Sequence, residues 1–319
     1  MPPQQGSFAA LSEPRAYMSD TPAEVPTPAS TAVETSSPDV APSRPAQKPY
    51  LTIRAKSAPL GLDLPELWRF RDLVHQLALR DLKLRYKQTL LGVIWVVLQP
   101  LMAAGIFTFV FGVLAKLPTD GKPQFLVSFA GLLGWNLFAG SLTRISGCLT
   151  GNSHLISKVY FPRLVLPLST VPSVLVDFAV ALAMCVVLLV VYAVMPGWQV
   201  LLLPLWIATL VMLALGIGLV TASLSVSYRD IQYILPVALQ MMLYASPVGY
   251  DVSAVPEHLR GWYYLNPLAG VIEAFRWSLL GGNAPSPLGL SITVGFSAIL
   301  AIFGLWSFRR MERRFADVV

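Results

Sequence analysis

The sequence predicts an all-α membrane protein: six transmembrane helices, an N-terminal amphipathic interface helix and two short re-entrant helices before the last span. Three observations predict it. Charge is scarce, with 13% of the 319 residues charged, 55% hydrophobic and a mean hydropathy of +0.62, whereas a water-soluble domain carries roughly 25% charged residues. The scarcity is regional, because beyond Leu90 long stretches hold no charge at all. Apolar runs near the ~20 residues that a helix needs to cross the hydrocarbon core also recur along the chain.

Residues 1–60 are rich in Pro, Ser, Thr and Ala. Such a composition buries too little apolar surface to offset the entropy of ordering, so a disordered cytoplasmic tail is expected. It lacks the apolar core of a signal peptide, and no cleaved leader is expected. Residues 61–89 follow, containing "DLPELWRFRDLVHQLALRDLKLRYK". Asp63 and Glu66 stand at capping-box spacing, with Pro65 in the first turn. On a helical wheel Leu67, Phe70, Leu73, Val74, Leu77, Ala78 and Leu84 share one face. Arg69, Asp72, Arg80, Lys83 and Lys87 share the opposite one, while Asp81 and Arg85 interrupt the apolar stripe. This pattern predicts a helix lying along the cytoplasmic membrane surface. Simple anchoring and docking of a partner account for it equally.

Residues 90–319 form the six-span region, with spans expected at Leu90–Leu114, Phe125–Leu149, Leu164–Met195, Val200–Ser223, Ile231–Val248 and Leu288–Phe308. The third is long for a bilayer and is expected to tilt or project. Lys and Arg near the span ends set the orientation. One side receives Arg69, Arg71, Arg80, Lys83, Arg85, Lys87, Lys158, Arg163, Arg229, Arg309, Arg310, Arg313 and Arg314. The other receives only Lys116, Lys122, Arg260 and Arg276. The heavier side marks the cytoplasm and places both termini there. Because the basic residues flank apolar runs, the net charge of +6 is assigned to membrane orientation and not to nucleic acid.

Gln99-Pro100 interrupts the first span. Proline removes one helical hydrogen bond and clashes with the carbonyl of Val96, which then needs a partner from a neighbouring helix or from water. A packed kink is expected there, and a substrate contact is the alternative role for Gln99. Asp177 lies inside the third span, where an ionisable side chain needs a partner within the bundle. Arg144, on the cytoplasmic half of the second span, is the candidate. Ala214, Gly218 and Ala222 recur every four residues, which lets helices approach closely. Cys148 and Cys185, the only cysteines, fall in or beside apolar segments and are expected to be core residues, not a disulfide or metal ligands.

Between the last two spans, Pro267–Leu280 is apolar but too short to cross at ~1.5 Å per residue. Asn266-Pro267 starts this helix and Gly281-Gly282 ends it. With Pro256–Leu265 it is expected to form a re-entrant hairpin on the outer face. Glu273 and Arg276, three apart on one face, are expected to pair. Tyr244, Tyr250, Trp262, Tyr263, Tyr264 and Trp277 crowd this region. An interfacial aromatic belt explains them, and so does a path for sugars, whose apolar ring faces rest on aromatic ones. On the cytoplasmic side the loop "GNSHLISKVYFPRLVLP" presents Asn152, His154, Lys158 and Arg163, and the brief "SVSYRDIQYI" presents Arg229 and Asp230. Short rigid segments of this kind suit transmission of force from a partner.

No phosphate loop of the GxxxxGK type followed by Ser or Thr occurs, and neither GxSxG nor HExxH is present. No carboxylates group on either side, and three histidines leave little for acid–base work. The chain is therefore not expected to be an enzyme, to hold a metal or to bind nucleotide by that loop.

Four blocks, "LRYKQTLLGVIWVVLQPLMAAGIFTFVFG", "ISKVYFPRLVLPLS", "SYRDIQYILPVALQMMLYASPVGY" and "LNPLAGVIEAFRWSLLGG", resemble the permease subunits of ATP-binding-cassette exporters for bacterial surface polysaccharides. Exporters of O-antigen, capsule and teichoic acid are of this kind. The resemblance runs from about Pro65 to the C-terminus. It implies a six-span permease of the bacterial inner membrane that forms a homodimer, pairs with two copies of a separate ATPase and exports a lipid-linked polysaccharide. ATP and Mg would sit on the ATPase, leaving no cofactor on this chain. Pro65–Lys87, Gly151–Arg163 and Tyr228–Tyr233 would face that ATPase, and Pro256–Leu280 would shape the exit. Arg80, Lys83, Arg85 and Lys87 would either attract the substrate's pyrophosphate or serve only to orient the first span. Export of a drug or small lipid is the nearest alternative. A membrane glycosyltransferase would need grouped acids, and Asp251, Glu257 and Glu273 are scattered. A scaffold would bind no ATPase.

Overall fold

The computed structural model describes residues 64–87, 92–119, 121–252, 256, 258, 261 and 263–312. Residues 1–60, Asp63, Glu257, Arg260, Trp262, Arg313 and Arg314 lie outside the described residues, as does much of Pro256–Leu265. Among the described residues every regular element is helical. In order these are α1 (Leu64–Arg69), α2 (Arg71–Tyr86), α3 (Gly92–Phe107, continued as a π-helix over Thr108–Leu114), α4 (Gln124–Gly151) and α5 (Ser153–Lys158). There follow α6 (Val165–Val191), a 3-10 turn (Trp198–Leu202), α7 (Leu203–Ser227), α8 (Ile231–Ala245), α9 (Pro267–Leu280) and α10 (Pro287–Glu312).

Five helical stretches are long and apolar enough to cross a membrane: Ile94–Leu114, Gln124–Gly151, Val165–Val191, Trp198–Ser227 and Pro287–Glu312. Each overlaps an expected span. Within the stretch expected as a span over Ile231–Val248, helix α8 covers 15 residues and rises about 22 Å. It stops at Ala245 because a residue before proline is pushed out of the helical region. Ser246, ahead of Pro247, is accordingly extended at φ −111° and ψ 153°.

α4 is the centre of the bundle and packs against α3, α6, α7, α8 and α9. Phe129, Phe138 and Phe275 are wholly buried around it. The small residues Ala214, Gly218 and Ala222 are buried on α7, and a Cβ at Gly218 would come within 2.5 Å of Ile145 on α4. The opposite face of α7 meets α10 backbone to backbone. A Cβ at Gly216 would lie 2.6 Å from the Leu300 carbonyl carbon, and one at Gly304 would strike the Gly216 carbonyl oxygen. Only glycine permits that approach. Cys148 and Cys185 are free and buried.

The helix expected ahead of the first span is present as α1 and α2. Its apolar face is covered by protein in part, where α2 packs on α6, while Leu84 on that face stays exposed. Ala78 is buried, and Leu77 is buried in a cluster with Cys148 and Leu149 of α4, Phe161 and Val165 at the entry to α6, Ala222 of α7 and Phe308 of α10. Pro100 is buried inside α3, with the chain helical on both sides.

Candidate functional site

Asp177, the charged residue on α6, organises the first site. Arg144, the partner expected from the sequence, extends from α4 and donates Nη2–H to Asp177 Oδ2 at 2.8 Å. Its Nη1 also donates to the Ser173 hydroxyl, one turn back on α6. A second guanidinium, unforeseen, reaches the same oxygen: Arg85, from the last turn of α2, donates through Nη1 to Asp177 Oδ2. Two cations thus face one carboxylate. The side chains are 43% exposed for Arg85, 28% for Arg144 and 14% for Asp177, so Arg85 is the most accessible of the three.

These groups line a cleft of about 350 Å³ between α3, α4 and α6. Gln99 and Asn136 are exposed there and supply neutral amide groups, with Thr143 beside them. Val96, Leu133, Leu137, Val174 and Phe178 form its apolar walls. Such a lining suits an anionic group with an apolar attachment. It offers no assembly for acid–base or metal chemistry, and among the described residues no group of three His, Cys, Asp or Glu is placed to hold a metal ion.

The segments expected on the cytoplasmic side are tied to the bundle at Asn152 and at Arg163. Asn152, just past α4, accepts from Arg80 Nη2 at 2.7 Å and donates to the Cys148 carbonyl at 2.9 Å. Arg80 also holds Asp81 at 2.9 Å. Farther along the same loop, the Arg163 backbone N–H donates to Glu312 Oε1 at 3.3 Å and its guanidinium donates to the Glu312 carbonyl. The loop is therefore fastened to α2 at one end and to α10 at the other. His154, Lys158, Arg229 and Asp230 are exposed, as are Lys83 and Lys87 on α2.

On the opposite side, Asn266 caps α9 by accepting from Leu268 N at 3.1 Å, and its amide donates to Ser246 Oγ at 2.9 Å. The expected pairing of Glu273 with Arg276 requires correction. Arg276, 5% exposed, donates to Asp251 Oδ2 at 2.8 Å, to the Tyr250 carbonyl at 2.8 Å and to the Pro247 carbonyl at 3.3 Å. Glu273 Oε2 accepts from the Tyr264 hydroxyl at 3.1 Å. The non-helical turn after α8 leaves carbonyls that a buried fork of N–H donors must satisfy, and that demand outweighs the helical spacing rule.

Several expected aromatics gather here. Tyr250 and Tyr263 join hydroxyls at 2.8 Å. Burial first, and then the Tyr250 hydrogen bond, push the Tyr263 phenol well above its ordinary pKa. Trp277 meets Trp198 edge to face at 6.1 Å. Trp277 and Tyr264 also line an outer cavity of about 180 Å³ with Lys122, Asp251, Glu273 and Arg276. Tyr244 is exposed on α8 and does not line that cavity.

Residues 72–280 match the ABC-2 type transporter family. Over 252 residues the chain is 31% identical to the O-antigen export system permease protein RfbA of Klebsiella pneumoniae, covering 78% of this chain and 95% of that protein. A protein of the same name from Myxococcus xanthus is 28% identical over 256 residues, or 80% and 98% of the two chains. The polysialic acid transport protein KpsM of Escherichia coli is 25% identical over 248 residues, or 75% and 93%.

Proposed function

The chain belongs to the ABC-2 type transporter family, and from that premise we propose that it is the membrane subunit of an ATP-driven exporter that carries a lipid-linked surface polysaccharide out of the bacterial cytoplasm. The observation that carries this reading is the match across most of the chain to permeases named for O-antigen and polysialic acid. Those names favour a glycan over a drug or small lipid. The reading makes the chain a multi-pass inner-membrane protein that works with a separate ABC ATPase.

The finer architecture belongs to the same proposal. α8 and the turn after it complete a sixth crossing, and α9 dips inward and returns to the outer face. Both termini lie in the cytoplasm, supported by the basic residues around α2 and at the end of α10. Two copies of the chain enclose the glycan path, and each meets one ATPase through α2, the α5 loop and the turn at Arg229 and Asp230. The two ties at Asn152 and Arg163 support this coupling, because a fastened loop passes a push to α2 and α10 instead of yielding. ATP and Mg stay on the ATPase.

Co-expression with its ATPase and reconstitution into vesicles tests the reading. Uptake of lipid-linked glycan is expected to require ATP and to stop when the ATPase phosphate-loop lysine is replaced. Glycan movement by this chain with no ATPase present would overturn it.

A further inference from the structure

We infer that the Asp177 carboxylate holds the place of a phosphate: in the cleft between α3, α4 and α6, a phosphate of an anionic lipid headgroup displaces it from Arg85 and Arg144, and this exchange unfastens the end of α2 from α6. Both guanidinium groups converge on one oxygen, Asp177 Oδ2. A phosphate or pyrophosphate brings more charge and more acceptor oxygens than a carboxylate, and guanidinium groups bind such oxygens in pairs. Two guanidinium groups set on one carboxylate offer a ready pair of donors to an incoming anion.

The surroundings select a phosphate carried on a lipid. Amide groups of Gln99 and Asn136 stand in the same cleft as the two arginines, while Val96, Leu133 and Phe178 offer an apolar wall to a hydrocarbon chain. The three charged groups also differ in how firmly they are held. Arg85 is the more exposed of the two arginines, and solvent screening weakens its bond. Arg85 is therefore the contact that yields. Because Arg80 ties the same helix to Asn152, movement of α2 reaches the cytoplasmic loop, so occupancy of the cleft is reported to the face where an ATPase would dock. That the lipid is the exporter's own substrate rests on the function proposed above; the exchange itself does not.

The test uses the full-length chain in nanodiscs, with polyprenyl pyrophosphate as probe and sodium pyrophosphate and phosphatidylcholine as controls. Asp177→Asn removes the internal competitor and is expected to tighten probe binding. Arg144→Gln should weaken it by about tenfold, the loss of one charge-assisted hydrogen bond, and Gln99→Ala should weaken it less. An ion pair that served only packing would give losses at both Asp177 and Arg144, and that result overturns the exchange. Free pyrophosphate binding as tightly as the lipid overturns the lipid assignment. A readout that leaves the charged cluster intact places spin labels at Leu84→Cys and Val176→Cys, both exposed positions, on a chain whose native cysteines are buried. Probe addition should lengthen that distance, and an unchanged distance overturns the release of α2. Binding and release without glycan export would refute only the proposed function; export with neither would refute only the exchange.

Discussion

Replacing Arg276 with Met tests the clamp that holds α9 to the turn after α8. The side chain is almost fully buried and donates three hydrogen bonds, to a carboxylate and two backbone carbonyls. Methionine keeps most of the volume, so the change removes the donors without opening a large cavity. Breaking a buried ion pair by removing one partner typically destabilises by 3–5 kcal/mol, and because the Asp251 side chain is 28% exposed water recovers part of its solvation, leaving about 3 kcal/mol. That corresponds to roughly a hundredfold shift in the folded population. Unfolding in mixed micelles, titrated with a denaturing detergent, measures it. The companion Asp251→Asn and the double variant complete a cycle whose coupling should be about 2 kcal/mol. Arg276→Lys should recover only part of the loss, since an ammonium cannot span three acceptors set in a fork. A loss for Arg276→Met below about 0.5 kcal/mol, in the range of an ordinary surface change, together with no coupling to Asp251, would refute the clamp.

Gly304→Leu forces α10 away from α7 and should cost at least about 2 kcal/mol through overpacking, read as a lower yield of monodisperse protein; full yield would remove the close approach at Gly216. Arg85→Gln combined with Lys87→Gln should lower surface glycan while cysteine labelling shows unchanged topology, and normal export would leave these charges an orienting role alone. Tyr263 has a raised folded pKa, so its contribution to stability is complete below the ordinary phenol value of 10.0 and fades as the pH climbs through the higher folded value. The melting temperature of wild type should therefore fall in strong alkali, and Tyr263→Phe should flatten that dependence.

How far the structure was legible varied with the kind of force involved. The long helices were legible because length and apolar content alone make a span, and these need no knowledge of neighbours. Asp177 and Arg144 were legible for a related reason: an ionisable group within an apolar run demands a partner, and few were on offer. Arg85 was not, since it lies 92 positions from Asp177 and reads equally well as a charge at the membrane surface. The apolar stripe of α2 was visible, but a stripe does not say whether lipid or protein will cover it. Arg276 misled because helical spacing records side chains on one helix and is silent about carbonyls in a turn that folds back. The end of α8 carried a signal that the hydropathy of Ile231–Val248 masked, namely the Ser246-Pro247 step.

The stretch Gln124–Gly151 has the lowest mean hydropathy of the five long helices, 1.6, and the largest share of its most apolar stretch buried, 78%. The two facts are one. A helix sheathed by its neighbours is selected for fit and not for oiliness, which is how α4 accommodates Ser128, Ser141, Ser146 and Arg144. It follows that α4 is the axle of any rearrangement, since dragging it into lipid would part Arg144 from Ser173 and Asp177. Ile94–Leu114, only 11% buried by the same measure, has far fewer contacts to surrender. Motion that widens a passage through this protein is thereby steered to the outlying helices, which swing while their hub stays still.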